Sequence, residues 1–227
     1  RAGNGGPGAS GPGTHADGVL TAAMPPVAVQ PADAIGEWSL TQRNLHRLLT
    51  AYVRFYQGAH WEHSTVPAEG AAILVCNHVS VLDPLLLVAS NQRVVSFLVA
   101  QEYYDNPLMR QLLEQTYSIP VRRDRRDVRA LLQARHILED GRVLGIFPEG
   151  GINRSETQKG VAWLVRESAA PVVPAHVGGA RQAASDLQTW LRRQHPLLRY
   201  GVPLHFHRDA DAAEVMGATM SAIATLA

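Results

Sequence analysis

Ala71-Ala72-Ile73-Leu74-Val75-Cys76-Asn77-His78-Val79-Ser80-Val81-Leu82-Asp83-Pro84-Leu85-Leu86-Leu87-Val88 runs from one apolar stretch through a polar turn into another. The first stretch is short and rich in branched residues, as a buried strand is; the second opens on a proline, as a helix can. Strand, turn and helix in that order belong to layered α/β folds, which place their active loops at strand ends. The turn carries a histidine and a carboxylate, the makings of a general base. Asp83 ahead of Pro84 reads as a helix cap with proline at the first helical position. The step from His78 to Asp83 then lies in a turn that can fold the carboxylate back onto the imidazole. That contact would fix the ring's tautomer and leave its other nitrogen to take a proton from a hydroxyl. A plainer reading competes: Asp83 as a cap alone and His78 as a hydrogen-bonded turn residue.

Outward from this stretch, strands are predicted at Ile73 to Val75, Val94 to Val99, Ile119 to Val121, Val143 to Phe147, Val172 to Val177 and Leu204 to Phe206. Helical patterns fill the gaps at Pro84 to Ala89, Leu108 to Gln115, Asp127 to Glu139, Gln158 to Ser168, Ala183 to Arg193 and Ala212 to Thr225. Strands separated by helices imply an α/β fold with a partly parallel central sheet flanked by helices. No internal repeat and no second catalytic domain is visible.

Two further polar loops follow apolar runs: Pro120-Val121-Arg122-Arg123-Asp124, and Phe147-Pro148-Glu149-Gly150-Gly151-Ile152-Asn153-Arg154-Ser155. In their order and separation the three loops resemble the glycerolipid acyltransferase family that includes 1-acylglycerol-3-phosphate acyltransferases. Asn77-His78 to Asp83 matches the family's N-H-x-x-x-x-D, Tyr117 to Arg123 its arginine-bearing second element, and Phe147 to Gly150 its F-P-E-G. Val172 to Val177 matches its fourth element, a hydrophobic strand with a proline. The resemblance extends from about Gly36 to near the C-terminus. It implies that His78 and Asp83 are the catalytic pair and that Arg123, Glu149 and Gly150 help hold a phosphate-bearing acceptor. The implied reaction transfers a fatty acyl group from an acyl-CoA or acyl-carrier-protein thioester to a lysophospholipid hydroxyl, with 1-acyl-sn-glycerol-3-phosphate the leading acceptor and no cofactor. Glycerol-3-phosphate, other lysophospholipids and nonphosphate lipid alcohols are the alternatives.

The chain departs from the family pattern twice. Tyr117 stands where the second element usually opens with glycine, and the third element, commonly E-G-T-R-S, here carries its arginine two residues later. Either a bulge at Gly150-Gly151 lets Arg154 reach the site, or Arg123 and Lys159 hold the anion; diglycine makes the bulge conformationally cheap. Lys159 opens the helical pattern through Ala162, Trp163, Leu164 and Val165, near a positive helix end where an anion can bind. A solvated lysine is the simpler account of it.

The chemistry has an independent rationale. An alcohol attacking a thioester must lose its proton, and a neutral imidazole suits that task near neutral pH. An oriented base needs no serine or cysteine nucleophile, because the acceptor's hydroxyl attacks directly. Strand alternation puts Cys76 among the buried side chains. Ser80 lacks a G-x-S-x-G context and is read as a local hydrogen-bond donor in the turn, and Asn77 as a turn-shaping residue. Glu149 invites a metal, yet there is no H-E-x-x-H and no cysteine cluster, so no metal site is expected. It can equally brace its loop. Arg122, Arg125, Arg126 and Arg129 read as a solvated helix start, or as contacts for anionic lipid or coenzyme A phosphates. Arg123, at a strand end, presents a planar fork suited to a phosphate.

A formal charge of +1 and the lack of interleaved aromatics exclude a nucleic-acid binder. Residues 1–35 are rich in glycine, alanine and proline and are expected to form a flexible tail ahead of one domain at 36–227. The tail shows no signal-peptide pattern, and the missing initiator methionine makes the chain look processed or cut from something longer. The single cysteine agrees with a reducing compartment. No run is long enough to span a membrane. Leu40 to Tyr56 places Leu45, Leu48, Leu49, Tyr52, Val53 and Tyr56 at helical spacing with Arg43, Arg47 and Arg54 on the polar side. This amphipathic helix either lies on the cytoplasmic face of the membrane, with Trp38 and Tyr56 at headgroup level, or packs on the domain. The expected location is peripheral or monotopic there. A thioesterase or lipid hydrolase and a noncatalytic lipid-binding protein are the competing classes.

Overall fold

The structure, a computed structural model, describes residues 38–122, 127–148 and 154–227, the side chains of 154–157 excepted. The tail at 1–35 lies outside the described residues. In chain order the elements are α1 (Leu40–Ala51), β1 (His60–Trp61), β2 (Ala72–Cys76), α2 (Asp83–Ser90), β3 (Val95–Ala100), α3 (Pro107–Gln115), β4 (Ile119–Val121), α4 (Val128–Glu139), β5 (Val143–Ile146), α5 (Arg154–Ser168), β6 (Val172–Gly178), α6 (Asp186–Leu191), β7 (Leu197–Tyr200) and α7 (Ala212–Thr225). The strands form one sheet in the order β1-β7-β6-β2-β5-β3-β4. Every neighbouring pair is parallel except β6 with β7.

Strand β2 sits in the middle because every residue in it is buried, as both faces of a parallel sheet require. Ala72, Leu74 and Cys76 point into one core with the leucines of α2 and with Val53; Ile73 and Val75 point into the other, with residues of α4, α5 and α7. Both cores need the sheet's covering helices, so β2 and the turn that follows it are anchored from two sides.

Helix α1 starts at a capping box: the Ser39 hydroxyl accepts from the Gln42 amide, and the Gln42 side chain accepts from the Ser39 amide. The expected single helix to Tyr56 changes instead into a π-helical turn at Tyr52–Tyr56. That turn aims the Tyr52 and Tyr56 hydroxyls at the carbonyls of Trp190 and Leu191, which close α6. Leu49, Tyr52 and Val53 pack on the core, while Leu40, Leu48 and Phe55 stay exposed. Trp38 is partly buried, donates its indole N–H to the Gln92 carbonyl and lies against His46.

Two strands went unpredicted. β1 is two residues long and β7 four, with only Leu198 and Tyr200 of β7 fully inward, runs too short to give a strand signal of their own. The expected strand at Leu204 to Phe206 is a single antiparallel bridge between Leu204 and Val172; Val172 is the first residue of β6, so His205 and Phe206 run past the end of their strand partner. The helix expected at Ala183 to Arg193 shortens to α6. Tyr117 has φ 52° and occupies the left-handed position that closes α3, its N–H bonded to Glu114 and that of Ser118 to Leu113. Glycine, which the resemblance expects at this position, takes a positive φ without strain; here the Tyr117 ring lies under the Arg142 guanidinium, 4.7 Å away.

Candidate active site

The turn after β2 is organised around one oxygen. Asp83 is fully buried, and its Oδ2 accepts from His78 Nδ1 at 2.9 Å, from the Val79 amide at 2.7 Å and from the Ser80 amide at 2.8 Å. The cap reading of Asp83 is thereby corrected. Leu82 is the N-cap, Asp83 is already helical, and its carboxylate reaches back to amides ahead of the helix. Pro84 then sits within the first turn, where its missing N–H costs nothing. An ionised carboxylate can only accept, so His78 Nδ1 carries the proton and Nε2 holds the free lone pair. No described residue bonds Nε2.

Neighbouring groups fix this geometry. Asn77 exchanges two hydrogen bonds with Val177 of β6, 2.9 Å from its amide nitrogen and 2.7 Å to its oxygen, extending the β2–β6 ladder with a side chain. Ser80 is buried; its Oγ accepts from the Leu82 amide and its carbonyl from the Asp83 amide. The His78 ring stacks on Phe147 at 4.5 Å, and Phe147 on Phe97 at 5.8 Å, which holds the imidazole from the side of β5. At the far end of α2, Ser90 and Asn91 bond the Tyr200 hydroxyl. Burial pushes that hydroxyl up to about 12, so it remains a neutral clamp on the helix that carries Asp83.

His78 lines a cavity of about 890 Å³ at the C-terminal edge of the sheet. Its walls are mainly apolar, among them Leu85, Val88, Val99, Met109, Leu112 and Leu113. Val81, Pro84, Leu85 and Val88 face this space, whereas Leu82, Leu86 and Leu87 belong to the core, so the apolar stretch after the turn serves both.

Of the remaining sequence-predicted residues, Lys159 is exposed and lines the cavity. It lies inside α5, which begins at Arg154, and not at the helix's N-terminal end as the sequence pattern suggested. Arg123, Glu149, Gly150 and Gly151 lie outside the described residues, as does the side chain of Arg154. Sequence reasoning missed the stacking role of Phe147, although it quoted that residue, and it missed Gln182, whose Oε1 accepts from the Val81 amide at 3.1 Å. Nothing local in the sequence marks a glutamine a hundred residues from its partner. Among the described residues no cluster of histidine, cysteine or carboxylate side chains could hold a metal.

Comparison with known proteins agrees with this architecture. A family model described as Acyltransferase matches residues 60–178, more than half of the chain. The 1-acyl-sn-glycerol-3-phosphate acyltransferase of Bacillus subtilis (strain 168) is 23% identical over 148 residues, covering 64% of this chain and 72% of that protein. The crystal structure of the 1-acyl-sn-glycerophosphate (LPA) acyltransferase PlsC from Thermotoga maritima superimposes with a TM-score of 0.59 at 19% identity, covering 81% of this chain and 80% of that one, and shows the shared fold. The match to the family model reaches from β1 to the end of β6 and includes the whole His78 turn, and the chain belongs to the acyltransferase family.

Proposed function

We propose that this acyltransferase moves a fatty acyl group from an acyl thioester, coenzyme A or acyl-carrier protein, to the free hydroxyl of 1-acyl-sn-glycerol-3-phosphate, with His78 as general base and Asp83 as its orienting carboxylate. The observation that carries the reading is the His78–Asp83 bond, which leaves Nε2 without a described protein partner in a ring lining a large apolar cavity. The acceptor hydroxyl gives its proton to Nε2 as its oxygen attacks the thioester carbonyl. Asp83 stabilises the imidazolium. The tetrahedral intermediate then expels the thiolate, the C–S bond breaks, and the imidazolium returns the proton to the sulfur, giving ester and free thiol. No cofactor or metal takes part.

The fatty chain is assigned to the apolar cavity, which Lys159 lines, and the holding of the acceptor's phosphate to Lys159, Arg123, Arg154 and Glu149-Gly150-Gly151, as the family resemblance implies. Charge-assisted donors suit a phosphate monoester. The name of the Bacillus subtilis relative supports this acceptor over others. Peripheral contact with the cytoplasmic face of the membrane belongs to the same reading. Leu48 and Phe55 are 69% and 79% exposed beside the exposed Arg47 and Arg54, and no helix among the described residues is long and apolar enough to cross a membrane.

The test is transfer by the intact protein and by His78→Ala, with palmitoyl- or oleoyl-coenzyme A and a panel of lysophospholipids and glycerol-3-phosphate in vesicles. A partly exposed ring can be removed without unfolding the chain, and losing a general base costs on the order of 10² to 10⁴ in kcat. Unchanged turnover in the folded variant would remove His78 from the mechanism; His78-dependent transfer to another acceptor would replace the substrate and keep the base.

A further inference from the structure

Past the end of β6 the chain turns at Gly179, with φ 75°, and runs alongside the segment that leaves α6. Between them lies a second cleft of about 300 Å³, lined by Arg181, Arg192 and Arg193 together with Gln182 and Gln194. All three arginines are exposed, and none pairs with a described carboxylate. In a chain whose formal charge is only +1, three arginines lining one cleft make a concentrated positive site.

The cleft is held by neutral groups and by one carboxylate, Asp186, which accepts from Gln182 Nε2 at 2.9 Å. The Arg181 amide donates to the Gln194 side chain, whose Nε2 donates to the Thr189 carbonyl at 3.4 Å, while the Ala183 amide donates to Thr189 Oγ1 at 2.9 Å. Arg192 caps the C-terminal end of α6, where the helix's partial negative charge eases the crowding of cations. None of these bonds engages a guanidinium.

The cleft also touches the catalytic turn. Gln182 lines it and accepts from the amide of Val81, a residue of the main cavity's wall, while Val177, just before the cleft, is bonded by Asn77. We propose that Arg181, Arg192 and Arg193 form a phosphoryl-anion site for the acyl donor, taking the pyrophosphate or ribose phosphate of coenzyme A while its thioester lies at His78. The assignment of the donor rests on the function proposed above. Guanidinium is suited to it because it meets phosphate oxygens with paired donors.

The test compares the full-length protein with the Arg181→Gln/Arg192→Gln/Arg193→Gln variant, and uses Arg208→Gln as a control for charge loss elsewhere. Calorimetry with coenzyme A and with pyrophosphate reads the site without turnover, and kinetics reads its use. In the triple variant, affinity for both probes and the KM for oleoyl-coenzyme A should worsen about tenfold or more. The kcat, the KM for lysophosphatidic acid and turnover of S-oleoyl-pantetheine, which lacks these phosphates, should stay within about twofold, a small fraction of a tenfold step.

Unchanged coenzyme A binding and KM would overturn the proposal, as would an equal loss with S-oleoyl-pantetheine. A rise confined to the lysophosphatidic acid KM would move the site to the acceptor. Loss of sedimentation with phosphatidylglycerol vesicles, coenzyme A binding being intact, would make the source a lipid headgroup; both results contradict the donor assignment. Arginine-dependent binding of coenzyme A by a protein that transfers nothing would sink the transferase reading and keep the cleft. Transfer whose coenzyme A dependence ignores the arginines would do the reverse.

Discussion

The turn after β2 and the segment after β6 leave the same edge of the sheet from adjacent parallel strands, yet they are built on opposite terms. In the turn most polar groups are committed to the protein, with Asp83 Oδ1 and His78 Nε2 the exceptions among the described side chains. Asn77 is tied to β6, Ser80 to the start of α2, and one oxygen of Asp83 gathers the ring and two amides. In the segment, a side-chain amide and a threonine hydroxyl hold the backbone, and the arginine side chains are exposed. A group that must take one proton at one position gains from being locked. A cleft that attracts a flexible polyanion gains from donors that can still rotate. On the two proposals above, the first is a geometric device and the second an electrostatic one.

That contrast is most strongly tested by Asp83→Ala. It strips the acceptor from His78 Nδ1 and from the Val79 and Ser80 amides at a fully buried position. Activity should fall by roughly 10³ to 10⁴, the scale seen when an orienting carboxylate is removed. Stability in urea unfolding should fall by about 1–3 kcal/mol, the cost of orphaned buried donors. Asp83→Asn keeps a carbonyl oxygen for the amides but no anion for the imidazolium, so it should approach the same activity loss with a smaller stability loss. Equal stability losses in the two variants would show that the carboxylate's charge, and not its shape, holds the turn together.

Asn77→Ala comes next in size. Losing both bonds to β6 should cost about 1–2 kcal/mol and lower kcat by less than tenfold, because His78 keeps its own tie to Asp83. Gln194→Ala, the matching cut in the second segment, should cost under about 1 kcal/mol, since solvent replaces the lost bond there. If the two variants unfold alike, the distinction between a locked turn and a loosely held segment fails.

The same contrast explains what could be read from sequence. The strand, turn and helix around His78 were legible because their signals are local: a branched apolar run, a polar pair and a proline. The helix α7 was legible to the residue, since Asp211 caps it and apolar residues repeat at helical spacing behind it. β1 and β7 were not, because each is fixed by its neighbour in the sheet more than by its own few residues. The role of Asp83 was half legible. Its return to His78 was anticipated, whereas its use of the amides in place of a helix cap depends on the exact path of the turn. The arginine cleft was not legible at all, since Arg181 and the Arg192-Arg193 pair meet only through the turn at Gly179 and the length of α6.

The central claim is that His78 activates the acceptor's own hydroxyl, with no acyl group passing through the protein. Thiol release from oleoyl-coenzyme A, followed at protein concentrations high enough to see one equivalent, tests it most directly. Thiol should appear only when lysophosphatidic acid is present, without a burst, and should be lost in His78→Ala. A stoichiometric burst without acceptor, accompanied by an oleoyl adduct on the intact protein, would contradict direct transfer and turn attention to Ser80 or Cys76 as a nucleophile.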